Sequence, residues 1–390
     1  MLSFLKPAHR FVKGAVAGLS TLALVSCVET TGSSGPKIDA SAPVPVALLV
    51  PKGSTNSGDA LLAQSLENAA KLAIADLGGV KIDLRVYATA GNPNTAQAAA
   101  VQAVDEGAKI ILGPVFGEAA NAAAKAVASR NVNVLSFSNN TTIAGGNLFV
   151  LGPTFDNTAD RLVAFAKGQG KGNIMTVHAN NSAGLLGNTA IANAITRKGA
   201  NNAGAVGYEF SQEGVIAAVS QIKLNAQQNG ADTLFLTANT SGALPLLTQL
   251  LPEAGLSPAT TQYMGLTRWD IPAQTLELPG VQGGWYTMPD PTLTNQFQTR
   301  YAQTYGGLPH SIGGLAYDGI AAIGALVKQG KSDALTTGAL TQGAGFQGVN
   351  GIFRLRTDGT NERGLAVATI RDKKVVIIDP APTRFGGAGS

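Results

Sequence analysis

The chain has 390 residues, of which 45% are hydrophobic and only 13% are charged. This is enough apolar chain for two domains with cores of their own. The formal charge of +4 falls to about +1 once Lys6, Arg10 and Lys13 near the N-terminus are set aside. A balance so close to neutral gives no indication of a nucleic-acid partner.

The first predicted element is a signal peptide over residues 1–26. Three cations precede an apolar stretch, residues 15–25, that is too short for a comfortable permanent membrane span. It ends in Leu24-Val25-Ser26-Cys27, which resembles the bacterial lipobox, and Cys27 is the only cysteine. We therefore expect lipidation at Cys27; the alternative is an ordinary signal peptide that happens to hold a cysteine. Because Val28 and not Asp follows, the resemblance favours the periplasmic side of the outer membrane.

A tether follows, and about 110 residues after it alternate strands and helices. Residues 27–45 are rich in Ser, Thr, Gly and Pro and predict a flexible tether. A buried strand is then expected at 46–50, an alternating one at 82–88, and further strands at 109–112, 132–137 and 148–151, with helices at 61–77, 95–105 and 118–130. This alternation indicates a parallel sheet with helices on both faces.

The alternation then begins again, which indicates a second α/β lobe and not one very wide sheet. Helices are predicted at 158–167, 185–197, 216–228 and 244–253, and strands at 174–178, 205–210, 233–236, 263–266 and 283–288. Helices at 295–305 and 313–328 follow, and strands at 351–355, 365–370 and 375–378 end the chain. The fold class is therefore α/β with two Rossmann-like lobes.

Candidate ligand-binding residues follow from where the strands end. In open parallel sheets, ligands bind outside the carboxyl ends of the strands, near helix N-termini. The turns at 113–117 and 136–140 offer backbone N–H groups, a ring, hydroxyls and amides. On position alone, the expected lining residues are Lys52, Phe116, Gly117, Ser138, Asn139, Asn140, Asn180, Asn239 and Trp285.

The acidic, histidine and cysteine residues do not form a catalytic or metal-binding pattern in the sequence. Asp59, Glu118, Asp270 and Asp318 are acids without a paired partner in sequence, and His178 is expected to pack or to line the cleft. There is no cysteine–histidine cluster and no phosphate-loop spacing. We expect no catalytic residue, no metal and no cofactor. An enzyme acting on cell-wall substrates is the alternative from another functional class.

Three stretches resemble the type 1 periplasmic-binding fold, in its leucine/isoleucine/valine-binding branch. They are GPVFGEAANAAAKAVASRNVNVLSFSNN (113–140), AYDGIAAIGALV (316–327) and the run from Phe346 to Asp379. The resemblance implies a hinge of three strand crossings, near 152–156, 286–290 and 345–348, with a ligand in the cleft. It sets lobe 1 at 46–154 plus 289–345 and lobe 2 at 155–288 plus 346–380.

Family positions that hold an amino acid are altered here. Where the family has a serine after the third strand, this chain has Gly117. The turn at 179–184 has no aromatic ring, and the nearest acid that could meet an ammonium group is Asp270. A zwitterion would keep unpaired charges in a closed cleft, which is costly. The resemblance therefore does not imply that this chain binds a free branched-chain amino acid.

A narrower resemblance is to lipoproteins that activate penicillin-binding proteins. Their fourth-strand turn often reads ISFSN, and VLSFSNN at 134–140 is similar. This implies a non-enzymatic lipoprotein whose partner is a penicillin-binding protein, a peptidoglycan synthase, and we favour it at this stage. The alternative is the substrate-binding component of an ABC transporter for amino acids or related small polar solutes, whose partner is the permease.

Overall fold

The computed structural model describes residues 35–386. The predictions for the signal peptide, for Cys27 and for the start of the tether lie outside the described residues. No helix within residues 35–386 is long and apolar enough to cross a membrane.

The end of the predicted tether is attached to the first lobe. Ile38 is buried in the core of this lobe, and its N–H donates to the carbonyl of Ser332 at 2.8 Å. The first strand already begins at Val44. The prediction of a flexible tether up to residue 45 is therefore wrong for its described part, residues 35–45. The apolar side chain of Ile38 is buried in the core although the surrounding sequence is polar.

The first lobe is built on a five-stranded parallel sheet with the strand order β2-β1-β3-β4-β5. Alternate residues of β1 point to opposite faces, Leu48 into one core and Leu49 into the other, as the two-residue period of a strand requires. The elements are β1 (Val44–Val50), α1 (Ser57–Asp76), β2 (Ile82–Ala88), α2 (Pro93–Asp105), β3 (Ile110–Leu112), α3 (Gly117–Val127), β4 (Val134–Ser136) and β5 (Leu148–Val150).

The second lobe has its own sheet of seven strands, which confirms the expected second α/β unit. Its elements from the middle of the chain are α4 (Phe155–Gly168), β6 (Asn173–Ala179), α5 (Ser182–Lys198), β7 (Asn201–Tyr208), α6 (Gln212–Gln228), β8 (Thr233–Leu236), α7 (Leu244–Glu253), β9 (Gln262–Gly265) and β10 (Trp285–Met288). Strands β6 to β10 pair in parallel.

The last hundred residues serve both lobes. They form α8 (Pro291–Tyr305), α9 (Gly314–Val327), α10 (Thr337–Leu340), β11 (Phe346–Gly348), β12 (Gly351–Leu355), β13 (Asn361–Arg363), β14 (Ala366–Arg371) and β15 (Lys374–Asp379). Helices α8 and α9 pack in the first lobe, where Phe297 and Ile320 enter the same core as Leu48. Strands β14 and β15 add an antiparallel edge to the second sheet, in the order β15-β14-β10-β9-β8-β6-β7.

Strands β11 to β13 form a small antiparallel sheet that packs with the first lobe. Phe346, Phe353 and Leu355 are buried in the first-lobe core, and the two phenylalanine rings lie 5.6 Å apart. We had expected residues 346–380 to belong to the second lobe. The return to the second lobe begins only at Ala366, because these aromatic side chains complete the first core.

Three chain crossings join the lobes, which is the number that the sequence predicted, but the third does not lie near 345–348. They run over residues 151–154, 289–290 and 364–365, between β5 and α4, β10 and α8, and β13 and β14. The first two leave the carboxyl end of a strand and enter the N-terminus of a helix in the other lobe. Because a helix in a βαβ unit runs opposite to its strands, the carboxyl edges of both parallel sheets flank the same hinge.

Candidate functional site

The first lobe contributes a row of turns at the carboxyl edge of its sheet. Gly117 begins α3, and a Cβ added to it would lie 3.3 Å from Asn140 Nδ2 and 3.6 Å from Ser138 Oγ. Gly117, Ser138 and Asn140 are thus brought together, as the sequence predicted from strand-end position. No side chain caps the first turn of α3, so its free N–H groups face this edge.

Hydrogen bonds within the chain fix the turn after β4. Ser136 Oγ donates to the carbonyl of Pro114 at 2.8 Å and accepts from the N–H of Ser138 at 3.0 Å. Ser138 Oγ accepts from the N–H of Asn140, whose Oδ1 accepts from the N–H of Thr142. The turn is therefore rigid, and the amide Nδ2 of Asn140 is the group that it presents to Gly117.

An acid and a ring flank this row on its other side. Asp59, in the first turn of α1, is only 6% exposed, whereas Phe116 is 38% exposed. Both approach Gly91, since a Cβ there would lie 3.5 Å from Asp59 Oδ2 and 3.1 Å from Phe116 Cε2. Lys52 is exposed on the turn after β1, and its carbonyl accepts from the N–H of Ala90. Asp59 was an unassigned acid in the sequence; the signal that could have singled it out is its place directly after a strand-end turn.

In the second lobe, the turns after β6 to β8 carry asparagines and exposed apolar groups. Asn180 donates from Nδ2 to Glu209 Oε1 at 2.8 Å, so this amide is already engaged. Asn239 is exposed, and a Cβ at Gly242 would lie 2.9 Å from its Oδ1 and 3.4 Å from the Phe210 ring. Phe210 is 59% exposed, which gives this wall an apolar rim that sequence reasoning missed.

The turn after β9 holds a partly buried ion pair. Arg268 donates from Nε to Asp270 Oδ1 at 2.9 Å, and the Asp270 side chain is 10% exposed. Burial, and then the Asp270 carboxylate, raise the pKa of Tyr286, whose buried hydroxyl has no hydrogen-bond partner. Asp270, the nearest sequence candidate for an ammonium partner, is therefore already neutralised by Arg268.

Trp285 lies at the wrong end of its strand to line the cleft. It is the first residue of β10, and its ring packs edge-on against Phe165 of α4 with centroids 4.9 Å apart. We had placed it with the lining residues because of its closeness to a crossing. Only the carboxyl end of β10, at Met288, meets the hinge, so Trp285 packs in the body of the second lobe.

Metal and acid–base chemistry find little support at this edge. Within residues 35–386 no three His, Cys, Asp or Glu side chains are placed to hold a metal ion. His178 is buried, with Nδ1 lying 3.2 Å from the carbonyl of Ala179. The groups that line this edge are amides, hydroxyls, the Asp59 carboxylate, a ring and backbone N–H groups, which are typical of a site that holds a small ligand.

Comparison with known families agrees with this architecture. A profile described as "Periplasmic binding protein" matches residues 43–374, so the chain belongs to the periplasmic binding protein family. It is of the type 1 fold, of the kind that includes leucine-binding proteins. A search of curated proteins finds no match.

Solved structures share the fold at low sequence identity. A Rhodospirillum rubrum protein provisionally described as a branched-chain amino acid ABC transporter matches with a TM-score of 0.73 and 16% identity, over 86% of this chain and all of that one. A Desulfitobacterium hafniense substrate-binding protein in complex with Leu matches with 0.63 and 18%, over 86% and 100%. A Rhodopseudomonas palustris solute-binding protein in complex with 3,4-dihydroxybenzoic acid matches with 0.60 and 18%, over 88% and 97%.

These comparisons weigh against the function that we favoured from the sequence. All three structures are described as parts of ABC transporters, and none of them as an activator of penicillin-binding proteins. The similarity of VLSFSNN to the activators' turn therefore has no support here.

Proposed function

We propose that this protein is a non-enzymatic solute receptor, which binds a small polar solute between its lobes and delivers it to an ABC permease. The observation that carries the proposal is the meeting of both carboxyl edges at one hinge, with Gly117, Ser138 and Asn140 on one wall and Asn239 and Phe210 on the other. A solute that contacts both walls favours the closed state by its differential affinity for it.

The solute has to be inferred from the side chains and not from the fold. Among the relatives, one carries Leu and another 3,4-dihydroxybenzoic acid, so one architecture accepts different chemistries. In this chain Gly117 has no hydroxyl, and Asp270 is engaged with Arg268. These features support a polar solute other than a free branched-chain amino acid.

A thermal-shift screen tests the proposal. The chain without residues 1–26 and with Cys27→Ser would be screened against amino acids, small peptides, aromatic acids, small amines and muropeptides. A ligand at a hundredfold its Kd adds about 2.7 kcal/mol of stability when it binds only the folded state. We expect Asn140→Ala to weaken a hit, and Gln97→Ala, an exposed change on α2, to leave it unchanged.

Two outcomes would oppose the receptor function. One is the absence of any shift across the panel, together with unchanged small-angle scattering. The other is a response to muropeptides alone, accompanied by capture of a penicillin-binding protein, which would restore the synthase-activator hypothesis.

We also propose that Cys27 anchors the protein by lipid on the periplasmic side of the membrane, with the outer membrane favoured. The family is periplasmic, and the lipobox-like Leu24-Val25-Ser26-Cys27 precedes a polar linker. Several acyl chains hold a protein stably at a bilayer. Membrane fractionation of the full chain checks this, since Cys27→Ser should move the protein out of the membrane pellet; an unchanged partition would exclude the anchor.

A further inference from the structure

Asp59 has a carboxylate without a partner, and its oxygens remain accessible to solvent although most of the residue is buried. Its residue is 6% exposed, yet among residues 35–386 no group donates a hydrogen bond to its carboxylate and no cation lies within ion-pair distance. Its place in the first turn of α1 puts it near the positive end of the helix dipole, which stabilises a negative charge there. An accessible carboxylate that no group of the protein occupies is free to pair with a cationic group of a ligand.

The surroundings of Asp59 are those of a site for a cation. Its Oδ2 and the Phe116 ring border one point beside Gly91, at 3.5 Å and 3.1 Å from a Cβ that would stand there. The backbone φ of Gly91 is +67°, a conformation that favours glycine, so this point is kept free of a side chain. A carboxylate beside an exposed aromatic ring attracts an organic cation both by charge and through the ring quadrupole.

We propose that the first-lobe wall binds the cationic group, an ammonium or guanidinium, of the solute through Asp59 and Phe116. The inference deepens the proposed receptor function and rests on it. A metal ion fits less well, because one carboxylate and a ring supply too few oxygen ligands for Mg²⁺ or Ca²⁺. In the other lobe Asp270 does not compete, since Arg268 holds it. The uncharged remainder of the solute then meets Ser138 and Asn140.

Matched amines and alcohols test the charge requirement directly. The full chain with Cys27→Ser would be titrated by calorimetry with putrescine, agmatine, L-lysine and L-arginine, and with 1,4-butanediol, L-leucine and L-glutamate as uncharged, zwitterionic and acidic comparisons. We expect binding by at least one of the four cationic compounds and none by 1,4-butanediol, the neutral counterpart of putrescine. The preference between putrescine and agmatine separates an ammonium from a guanidinium site.

Three variants connect that binding to the proposed residues. Asp59→Asn keeps the shape of the side chain and should weaken the cationic probe at least tenfold, and Phe116→Ala should weaken it several-fold. Glu213→Gln changes an exposed first-turn acid of α6 in the same way and should leave the affinity within twofold. Without ligand, Asp59→Asn should leave the melting temperature nearly unchanged, because no hydrogen bond or ion pair of the carboxylate is lost.

Each contrary result has a distinct meaning. A lower melting temperature for ligand-free Asp59→Asn, with undiminished affinity for the cationic probe, would make Asp59 a structural residue and overturn the inference. Binding of 1,4-butanediol, or binding of any probe with an affinity that Asp59→Asn leaves unchanged, would leave the receptor function standing and remove the cation site. If no probe of the calorimetric panel binds, the cation site is refuted, and the receptor function then depends on the thermal-shift screen.

Discussion

Several polar side-chain atoms of the described second lobe are buried without a hydrogen-bond partner, among them the hydroxyls of Tyr208 and Tyr286 and the indole N–H of Trp269. An unpaired hydroxyl in the core costs about 1–3 kcal/mol of stability. Tyr208 stands at the carboxyl end of β7 and is 2% exposed. Burial raises the pKa of Tyr208 to about 12, above its ordinary value of 10.0.

Tyr208→Phe should therefore make the protein less sensitive to alkali. In the unfolded chain the phenol ionises near pH 10, whereas in the fold it stays neutral until about pH 12, so rising pH between these values favours unfolding. The substitution removes this contribution. At pH 7 we expect stability equal to the parent or up to about 1 kcal/mol higher, since an unsatisfied hydroxyl is lost.

Urea unfolding at pH 7, 9, 10 and 11 measures both effects. A variant that loses stability at pH 7 would show that the hydroxyl has a partner in solution. One that follows the parent's decline above pH 10 would show that burial does not raise the pKa of Tyr208.

At the same scale, sequence reasoning located part of the candidate site. Strand-end position brought Gly117, Ser138 and Asn140 together, because the edge where parallel strands end is fixed by topology. It failed for Trp285, since closeness to a crossing does not say which end of the strand a residue occupies. It did not single out Asp59: the place of this residue directly after a strand-end turn was visible, but its burial and lack of a partner depend on packing across α1, β2 and α3.

At the scale of elements, the strand-to-helix turns of the second lobe depend on close backbone contact. A Cβ at Gly184, in the first turn of α5, would lie 2.1 Å from the carbonyl oxygen of Ala179 at the end of β6. Asn181 caps the same turn by accepting from the N–H of Gly184 at 2.8 Å. Gly184, the first residue of the stretch GLLGN (184–188), thus serves close packing of helix on strand. This packing explains the glycine, and no phosphate ligand has to be invoked.

Gly184→Ala should destabilise the protein by about 1–3 kcal/mol, because the new methyl group forces α5 away from β6. Gly168→Ala is the matched control. Gly168 ends α4, is exposed, and has nothing within 4 Å of the position a Cβ would take. There the same change should stabilise by about 0.4–1 kcal/mol through a less flexible unfolded chain.

Chemical denaturation of both variants gives the comparison. Equal effects at the two positions would mean that the close approach at Gly184 relaxes freely, against the packing described here.

At the scale of the whole molecule, the alternation of strands and helices in the sequence predicted the two lobes and the number of crossings. The third crossing was misplaced because Phe346 and Phe353 complete a core built from residues three hundred positions earlier, and such long-range packing leaves no local signal. The C-terminal segment adds a further link. Phe385 lies under the Arg354 guanidinium, 4.6 Å from the ring centroid, and so reaches from the second lobe back to the first.

The crossings themselves are joined by a buried ion pair. Arg363 Nη1 and Asp318 Oδ2 lie 3.0 Å apart, with side chains 2% and 0% exposed. Arg363 also donates from Nε to the carbonyl of Leu151 at 2.9 Å, and Asp318 Oδ1 accepts from the N–H of Val349 at 2.8 Å. The first and third crossings and helix α9 thus meet at one charge pair, so loss of one partner should affect the hinge and not a single element.

We expect Asp318→Asn to lower the free energy of unfolding by about 3–5 kcal/mol, because it leaves the Arg363 charge buried and uncompensated. Glu277→Gln is the control, since its pair with Lys373 is more than 60% exposed on both sides and should contribute at most about 1 kcal/mol. Urea unfolding measures both. Replacing the two buried partners together, by Asp318→Leu with Arg363→Met, should recover only part of the loss, since it removes the uncompensated charge but leaves the carbonyl of Leu151 and the N–H of Val349 without these partners. Should Asp318→Asn cost no more than the surface control, the pair would not be what holds the crossings together, and hinge rigidity would have to come from the packing around Leu151 and Phe353 instead.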